Sequence, residues 1–270
     1  MATSHAKSDL LKLGKTLLEN GPVKTLATSR RIRILFNNVY VADTTSALYV
    51  WEHEYYPYYY LPVESFTHGL HTCLPSNDDP QYWTAALRVG ARTTDRILVF
   101  GDALSPSCKP LERTVRVEFA AADVWFEEDV PIYVHPKDPF RRVDVLHSSR
   151  ALEIRVDGHV VAQTSSSYHL HETGLPCRFY VPATAVARDR LRESGTTTAC
   201  PYKGVASYYH VTLKGDEGGE RVYGDLVWYY KTPTLECAGI AGCLCFYHEK
   251  DGVEVRLDGN VLQRPKTRWS

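Results

Sequence analysis

The 270-residue chain has almost no net charge. Its 31 Lys and Arg against 32 Asp and Glu leave −1 at pH 7, and there is a single methionine. A balance this near zero lacks the basic field that non-specific nucleic-acid binding requires. The run Arg30-Arg31-Arg33 is short and reads as a solvated strand edge. No apolar run approaches the ~20 residues needed to cross a bilayer, and no charged-then-apolar leader opens the chain. Seven cysteines lie at 73, 108, 177, 200, 237, 243 and 245 without a C-x-x-C pair, which argues against a zinc ribbon. An odd, irregular set fits a reducing, cytoplasmic compartment. Cys243-x-Cys245 puts both thiols on one strand face, most simply as small buried hydrophobes. Also missing are G-x-G-x-x-G, G-x-x-x-x-G-K-[ST], G-x-S-x-G and H-E-x-x-H. The marks of a dinucleotide fold, a P-loop ATPase, a serine hydrolase of the elbow type and a zincin are therefore lacking. The expectation is an activity without cofactor or bound metal, with a small-molecule substrate, no nucleic acid and no membrane partner. A homodimer is compatible with the sequence.

What the chain has is tyrosine, 18 of them, and strand patterns. Ser8 to Asn20 reads as a helix with Ser8 as cap and Leu10, Leu11, Leu17 and Leu18 on one side. From Arg31 the pattern becomes alternating. Arg31 to Phe36 and Val39 to Ala42 flank Asn37-Asn38 as a hairpin, and Ala47 to Glu52 and Tyr58 to Leu61 follow as strands. Short helices are expected at about 184–192 and 234–238.

The strand segment recurs. Sliding the chain by 120 residues matches Ile34 with Ile154, Val41 with Val161, Ala42 with Ala162 and Thr44 with Thr164. It also matches Ser46 with Ser166, Glu52 with Glu172, Tyr60 with Tyr180 and Pro62 with Pro182. Such self-similarity means two copies of one unit. Looser matches pair Tyr82-Trp83 with Tyr208-Tyr209 and Trp125 to Glu128 with Phe246 to Glu249. The expected class is mainly β: two similar antiparallel domains with an N-terminal helical extension (1–30), a first repeat (31–135), a connector (136–150) and a second repeat (151–265).

Only the second copy carries Cys200-Pro201-Tyr202-Lys203-Gly204, a stiff turn bearing a thiol, a phenol and an amine. The first copy reads Cys73-Leu74-Pro75-Ser76-Asn77 there. Opposite Asp225 to Tyr230 it is read as Arg96 to Gly101, without the Trp-Tyr pair. A residue that packing alone demands should survive in both copies, as Glu52/Glu172 does. One working site is therefore expected, within the second repeat or between repeats. Lys203 is the candidate base or oxyanion stabiliser. Tyr202 or His171 is the proton partner and Glu172 the orienter. Tyr180, Cys200, Tyr208, Trp228 and Tyr229 are the candidate substrate wall. His169 and His171 share a strand face and could hold a metal with Cys200 or His210, but no standard ligand spacing supports this.

The strings R-V-D-G-H-V-V-A, H-E-T-G-L-P-C-R-F-Y-V-P, C-P-Y-K-G-V-A-S-Y-Y, D-L-V-W-Y-Y and A-G-I-A-G-C-L-C-F-Y span Arg155 to Tyr247. They resemble domain-of-unknown-function family 427, also catalogued as nucleotidyltransferase-like. The connector from Trp125 to Leu146 resembles its two-copy members. The resemblance implies a compact, mostly antiparallel β domain, and its pattern falls on Glu172, Tyr180, Pro182, Cys200, Pro201, Tyr202, Lys203, Gly204, Asp225, Trp228 and Gly242. Tyr229-Tyr230, His169 and His171 depart from it. Three functions are carried forward. The first is a lyase-, isomerase- or cyclase-type biosynthetic enzyme working by acid/base or electrostatic catalysis. The second is nucleotidyl transfer, with Asp225 and Glu172 as the only plausible metal-holding carboxylates. The third is a non-catalytic small-molecule-binding module.

Overall fold

A computed structural model of the chain describes residues 9–67, 70–72, 81–214 and 219–266. Two compact units divide it, one ending at Asp138 and the other beginning at Pro139. Both are built almost wholly from antiparallel strands.

The first unit contains helix α1 (Leu10–Asn20) and strands β1 (Lys24–Thr28), β2 (Ile32–Phe36), β3 (Val39–Thr44), β4 (Ala47–Trp51), β5 (Tyr58–Pro62), β6 (Leu70–Thr72), β7 (Tyr82–Val89), β8 (Arg92–Phe100), β9 (Thr114–Val117), β10 (Val124–Glu127) and β11 (Val130–Ile132). The second contains β12 (Val143–Ser148), β13 (Leu152–Val156), β14 (His159–Thr164), β15 (Ser167–Glu172), β16 (Arg178–Val181), β17 (Leu191–Cys200), β18 (Gly204–Lys214), β19 (Glu220–Tyr230), β20 (Leu244–Phe246), β21 (Val253–Leu257) and β22 (Asn260–Val261).

The two units share one topology. A seven-stranded sheet runs β1-β4-β5-β9-β8-β7-β6 in the first and β12-β15-β16-β20-β19-β18-β17 in the second. A four-stranded sheet runs β11-β10-β2-β3 in the first and β14-β13-β21-β22 in the second. Read from β3 and β14, these last two orders correspond strand for strand. The internal repeat is thus a repeat of structure. Both hairpins turn through left-handed residues, Asn37-Asn38 at φ 50° and 61° and Asp157-Gly158 at 44° and 78°. Two-residue turns of that hand match the twist of the flanking strands.

Alternation decides what each sheet buries. In β2 and β13 every second residue is buried: Ile32, Ile34 and Phe36, then Leu152, Ile154 and Val156. These face the seven-stranded sheet across a sandwich core. In the second unit that core adds Val181, Val211, Val227, Leu244 and Phe246. Each seven-stranded sheet also buries part of its other face. In the first unit α1 lies there, with Leu10 and Leu17 against Tyr60, Tyr82, Leu98 and Phe100. Its Gly14 sits so close to the Tyr82 ring that an added Cβ would lie 2.3 Å from it. In the second unit the layer holds Leu170, Tyr180, Ala206, Tyr208, Trp228 and Tyr230, with Cys237 and Ile240 of the 3-10 helix Leu235–Ile240.

Several sequence boundaries move. Residues 24–28, placed in the extension, form β1 and pair with β4. Residues 143–148, placed in the connector, form β12 and pair with β15. Asp9 caps α1 by accepting from the Lys12 N–H. The expected cap Ser8 lies outside the described residues, as do Cys73 to Asn77. The expected helix at 184–192 is two 3-10 turns followed by the start of β17.

The ladders also re-register the later half of the repeat. Tyr60 pairs with Arg116 as Tyr180 pairs with Cys245, and Leu98 pairs with Arg116 as Trp228 pairs with Cys245. Leu98, not Val99, is therefore the counterpart of Trp228. Thr84 then answers Tyr208, since each pairs with that position. Ile34 pairs with Trp125 as Ile154 pairs with Val255, so Trp125 answers Val255 rather than Phe246. No helix of the described residues is long and apolar enough to cross a membrane.

Candidate functional site

The Cys200–Gly204 turn joins β17 to β18, and its conformation is fixed from outside. Gly204 has φ 101°, and a Cβ there would meet the Thr232 carbonyl oxygen at 3.2 Å. The Tyr202 carbonyl accepts from the Thr234 hydroxyl and the Cys237 thiol, and the Lys203 carbonyl accepts from the Thr234 N–H. The segment leading into the 3-10 helix thus clasps the turn and drives Lys203 inward. Its side chain is 11 % exposed and that of Glu172 8 %.

Lys203 Nζ donates to Glu172 Oε2 and lies 4.0 Å from Cys200 Sγ. Burial opposes the ammonium charge, but Cys200 and Glu172 outweigh it and hold the lysine above its usual range. Lys203 is therefore a cation here, not the neutral base that the sequence allowed. Electrostatic stabilisation of a developing anion is the chemistry left to it. Around this pair, Tyr180 accepts from the Trp228 indole N–H at 3.0 Å, with the rings edge to face. The Tyr208 hydroxyl lies 2.7 Å from Thr198 Oγ1. Burial pushes the Tyr180 and Tyr230 phenols well above the usual range, so both stay neutral.

The first copy solves the same problem differently. Glu52, the counterpart of Glu172, accepts from Arg116 at 2.7 and 3.3 Å and from the Tyr60 hydroxyl at 3.0 Å. Arg116 stands on β9 where the second copy has Cys245. A buried carboxylate at this position is met by a cation in both copies, supplied by different strands. In the first copy the cation is a guanidinium in a two-pronged contact. In the second it is an ammonium whose three N–H groups meet one carboxylate and one distant thiol.

Seven of the nine sequence candidates belong to this region: Lys203, Tyr202, Glu172, Tyr180, Cys200, Tyr208 and Trp228. Two do not. His171 neighbours Glu172 on β15, so its side chain leaves the opposite face. It cannot be the proton partner of Lys203. Tyr229 likewise alternates away from Trp228 and stacks on Tyr209 in the sandwich core, with centroids 5.0 Å apart. Alternation from Trp228 would have selected Tyr230 instead, which lies in the layer with Cys237, Cys243 and Tyr247.

Two other sequence constellations do not form. Asp225 is on β19 and Glu172 on β15, three strand spacings or about 14 Å apart, too far to share a metal. Asp225, at φ 48°, accepts from Ser194 and Thr196, and its N–H donates to His210 Nδ1. It locks the bulge that interrupts the β18–β19 ladder next to Tyr209. His210 is therefore occupied there, and Cys200 is beside Lys203, so neither joins His169 and His171. A wide surface cleft of about 540 Å³ lies elsewhere, on the four-stranded sheet of the second unit, lined by Glu153, Arg155, Gln163 and Arg256 among others. Its arginines pair with Glu153 and Glu254.

A family model described as a domain of unknown function (DUF427) matches the chain twice, over residues 24–128 and 144–259. One match falls in each structural unit, the first running from β1 through β10 and the second from β12 through β21. No curated protein matches the chain.

Proposed function

The chain belongs to domain-of-unknown-function family 427 as a two-copy member, and from that premise we propose that its second copy is an enzyme acting on a small organic metabolite. The chemistry is of lyase, isomerase or cyclase type, without a redox cofactor. Lys203, kept as an ammonium, stabilises the enolate or oxyanion that forms as a proton leaves or a bond breaks. Glu172 orients it. Cys200, partly exposed and 4.0 Å from Nζ, replaces His171 as the group that exchanges a proton with the substrate. Trp228, Tyr208 and Tyr180 form the apolar wall that makes the charge effective.

The observation that carries this reading is the contrast between the copies. A purely structural carboxylate is fully met in the first copy by Arg116 and Tyr60. In the second, Tyr180 turns to Trp228, and among the described residues the Glu172 carboxylate is met by Lys203 alone, which leaves it acceptor capacity for a ligand. The spacing between Asp225 and Glu172 weighs against nucleotidyl transfer.

The test is incubation of the full-length protein with a metabolite extract, followed by mass spectrometry and chromatography. A compound that changes retention at constant mass, or gains or loses a small neutral molecule, is expected with wild type. It should be lost in Lys203→Met and reduced in Cys200→Ala, with both variants shown folded by circular dichroism. Turnover unaffected by either change would overturn the assignment. A ligand retained but recovered unchanged would make the domain a binding module.

A further inference from the structure

Opposite the Lys203 layer, β15 presents His169 and His171 on the face that looks toward the sandwich core. The turn that follows returns Cys177 beside them. One ligand atom from each, a ring nitrogen of each histidine and the cysteine sulfur, lie within 4.8 Å of one another. His171 Nε2 is 3.9 Å from Cys177 Sγ. Four-coordinate zinc, with bonds of about 2.0–2.3 Å, needs its ligand atoms about 3.3–3.7 Å apart. Side-chain shifts on the order of 1 Å would bring these three into that geometry.

The surroundings suit a ligand set. His169 is buried, its ring edge-on to Phe179 at 4.9 Å, with Ser167 Oγ 3.3 Å from its Nε2. A hydrogen-bond partner of this kind fixes the orientation of a ligating imidazole. His171 is exposed and Cys177 half-buried, which leaves an approach from solvent. The first copy holds none of this chemistry. Tyr49 pairs with Tyr59 as His169 pairs with Phe179, so the equivalent positions are Tyr49, Trp51 and Pro57. There Tyr49 bonds to Tyr59, and the Trp51 indole donates to Asp138. An aromatic cluster in one copy is thus an imidazole pair with a thiol in the other.

We propose that His169, His171 and Cys177 bind one divalent zinc ion, with a fourth position open to water or a ligand. Two imidazoles and a thiolate match the borderline-soft preference of zinc over magnesium or calcium. Three protein ligands are the pattern of sites that keep an exchangeable position.

The test uses the full-length, untagged protein, stripped with chelator and titrated with Co²⁺ as a spectroscopic probe and then with Zn²⁺. The expected result is one equivalent of Co²⁺ with a thiolate-to-metal charge-transfer band and the strong visible bands of four-coordination, abolished by equimolar Zn²⁺. Cys177→Ser should remove the charge-transfer band, and His171→Ala should weaken binding by about tenfold or more. His210→Ala should change neither. Absence of stoichiometric binding, or a charge-transfer band that survives Cys177→Ser, overturns the proposal.

Discussion

At the scale of the residue, the question is what a buried cation does when its partner is removed. Lys203 and Glu172 are both nearly enclosed. Lys203→Met leaves an unpaired carboxylate in that layer, and a broken buried pair typically costs about 3–5 kcal/mol. Replacing both members, as Lys203→Met with Glu172→Gln, removes the uncompensated charge and should recover most of that loss. Urea unfolding of the two single variants and the double variant measures the coupling. Single changes within about 0.5 kcal/mol of wild type would mean that Nζ reaches water freely. The sign with pH follows from the raised lysine pKa. The pair's contribution is fully present below the unfolded lysine value of about 10.4 and is lost as pH rises through the higher folded value. As pH rises from neutrality, the stability gap between wild type and Lys203→Met should therefore hold and then narrow in strongly alkaline buffer. A gap that closes already as pH is raised from 6 to about 8 would show instead a lysine held neutral.

At the scale of the element, the Cys200–Gly204 turn and the 3-10 helix Leu235–Ile240 form one device. Gly204→Ala places a Cβ on left-handed backbone and against the Thr232 carbonyl, at a cost of order 1–3 kcal/mol. Gly195→Ala, with open space around its Cβ, should stay within about 0.5 kcal/mol. Equal melting temperatures for the two variants would show that the clasp yields. This device was only half legible in the sequence. Pro201 and Gly204 announced a stiff turn, but Thr234 and Cys237, which hold it, lie 32 and 35 residues beyond Tyr202 with no local signal. The hairpins at Asn37-Asn38 and Asp157-Gly158 were legible because two residues suffice to set such a turn. The register of the later strands was not, since the copies differ in loop length and only the ladders reveal that Leu98 answers Trp228. Alternation, applied consistently, separates Glu172 from His171 and Trp228 from Tyr229. Adjacency in sequence had grouped residues that a strand sends to opposite faces. The Glu52–Arg116 pair was invisible for a related reason. The cation moved from a turn to a neighbouring strand, so matching residue against residue showed a loss where the fold kept the charge balance.

At the scale of the whole molecule, each unit supplies eleven strands to its own two sheets and closes its own sandwich core. A unit of about 130 residues is large enough to bury a stable core without help. Pro139 falls between the last strand of the first copy and β12, where a cut breaks no ladder. Residues 139–270 expressed alone should therefore unfold cooperatively in urea, with a slope appropriate to that length. Lys203, Glu172 and Cys200, as well as His169, His171 and Cys177, all lie in this half. A folded fragment should accordingly retain both the alkaline stability loss that depends on Lys203 and the affinity for Co²⁺ measured on the full chain. A fragment that folds yet loses either property would place part of the working site in the first copy. A fragment that fails to fold would mean that the repeat is one cooperative body, and that the first copy persists because the second cannot stand without it.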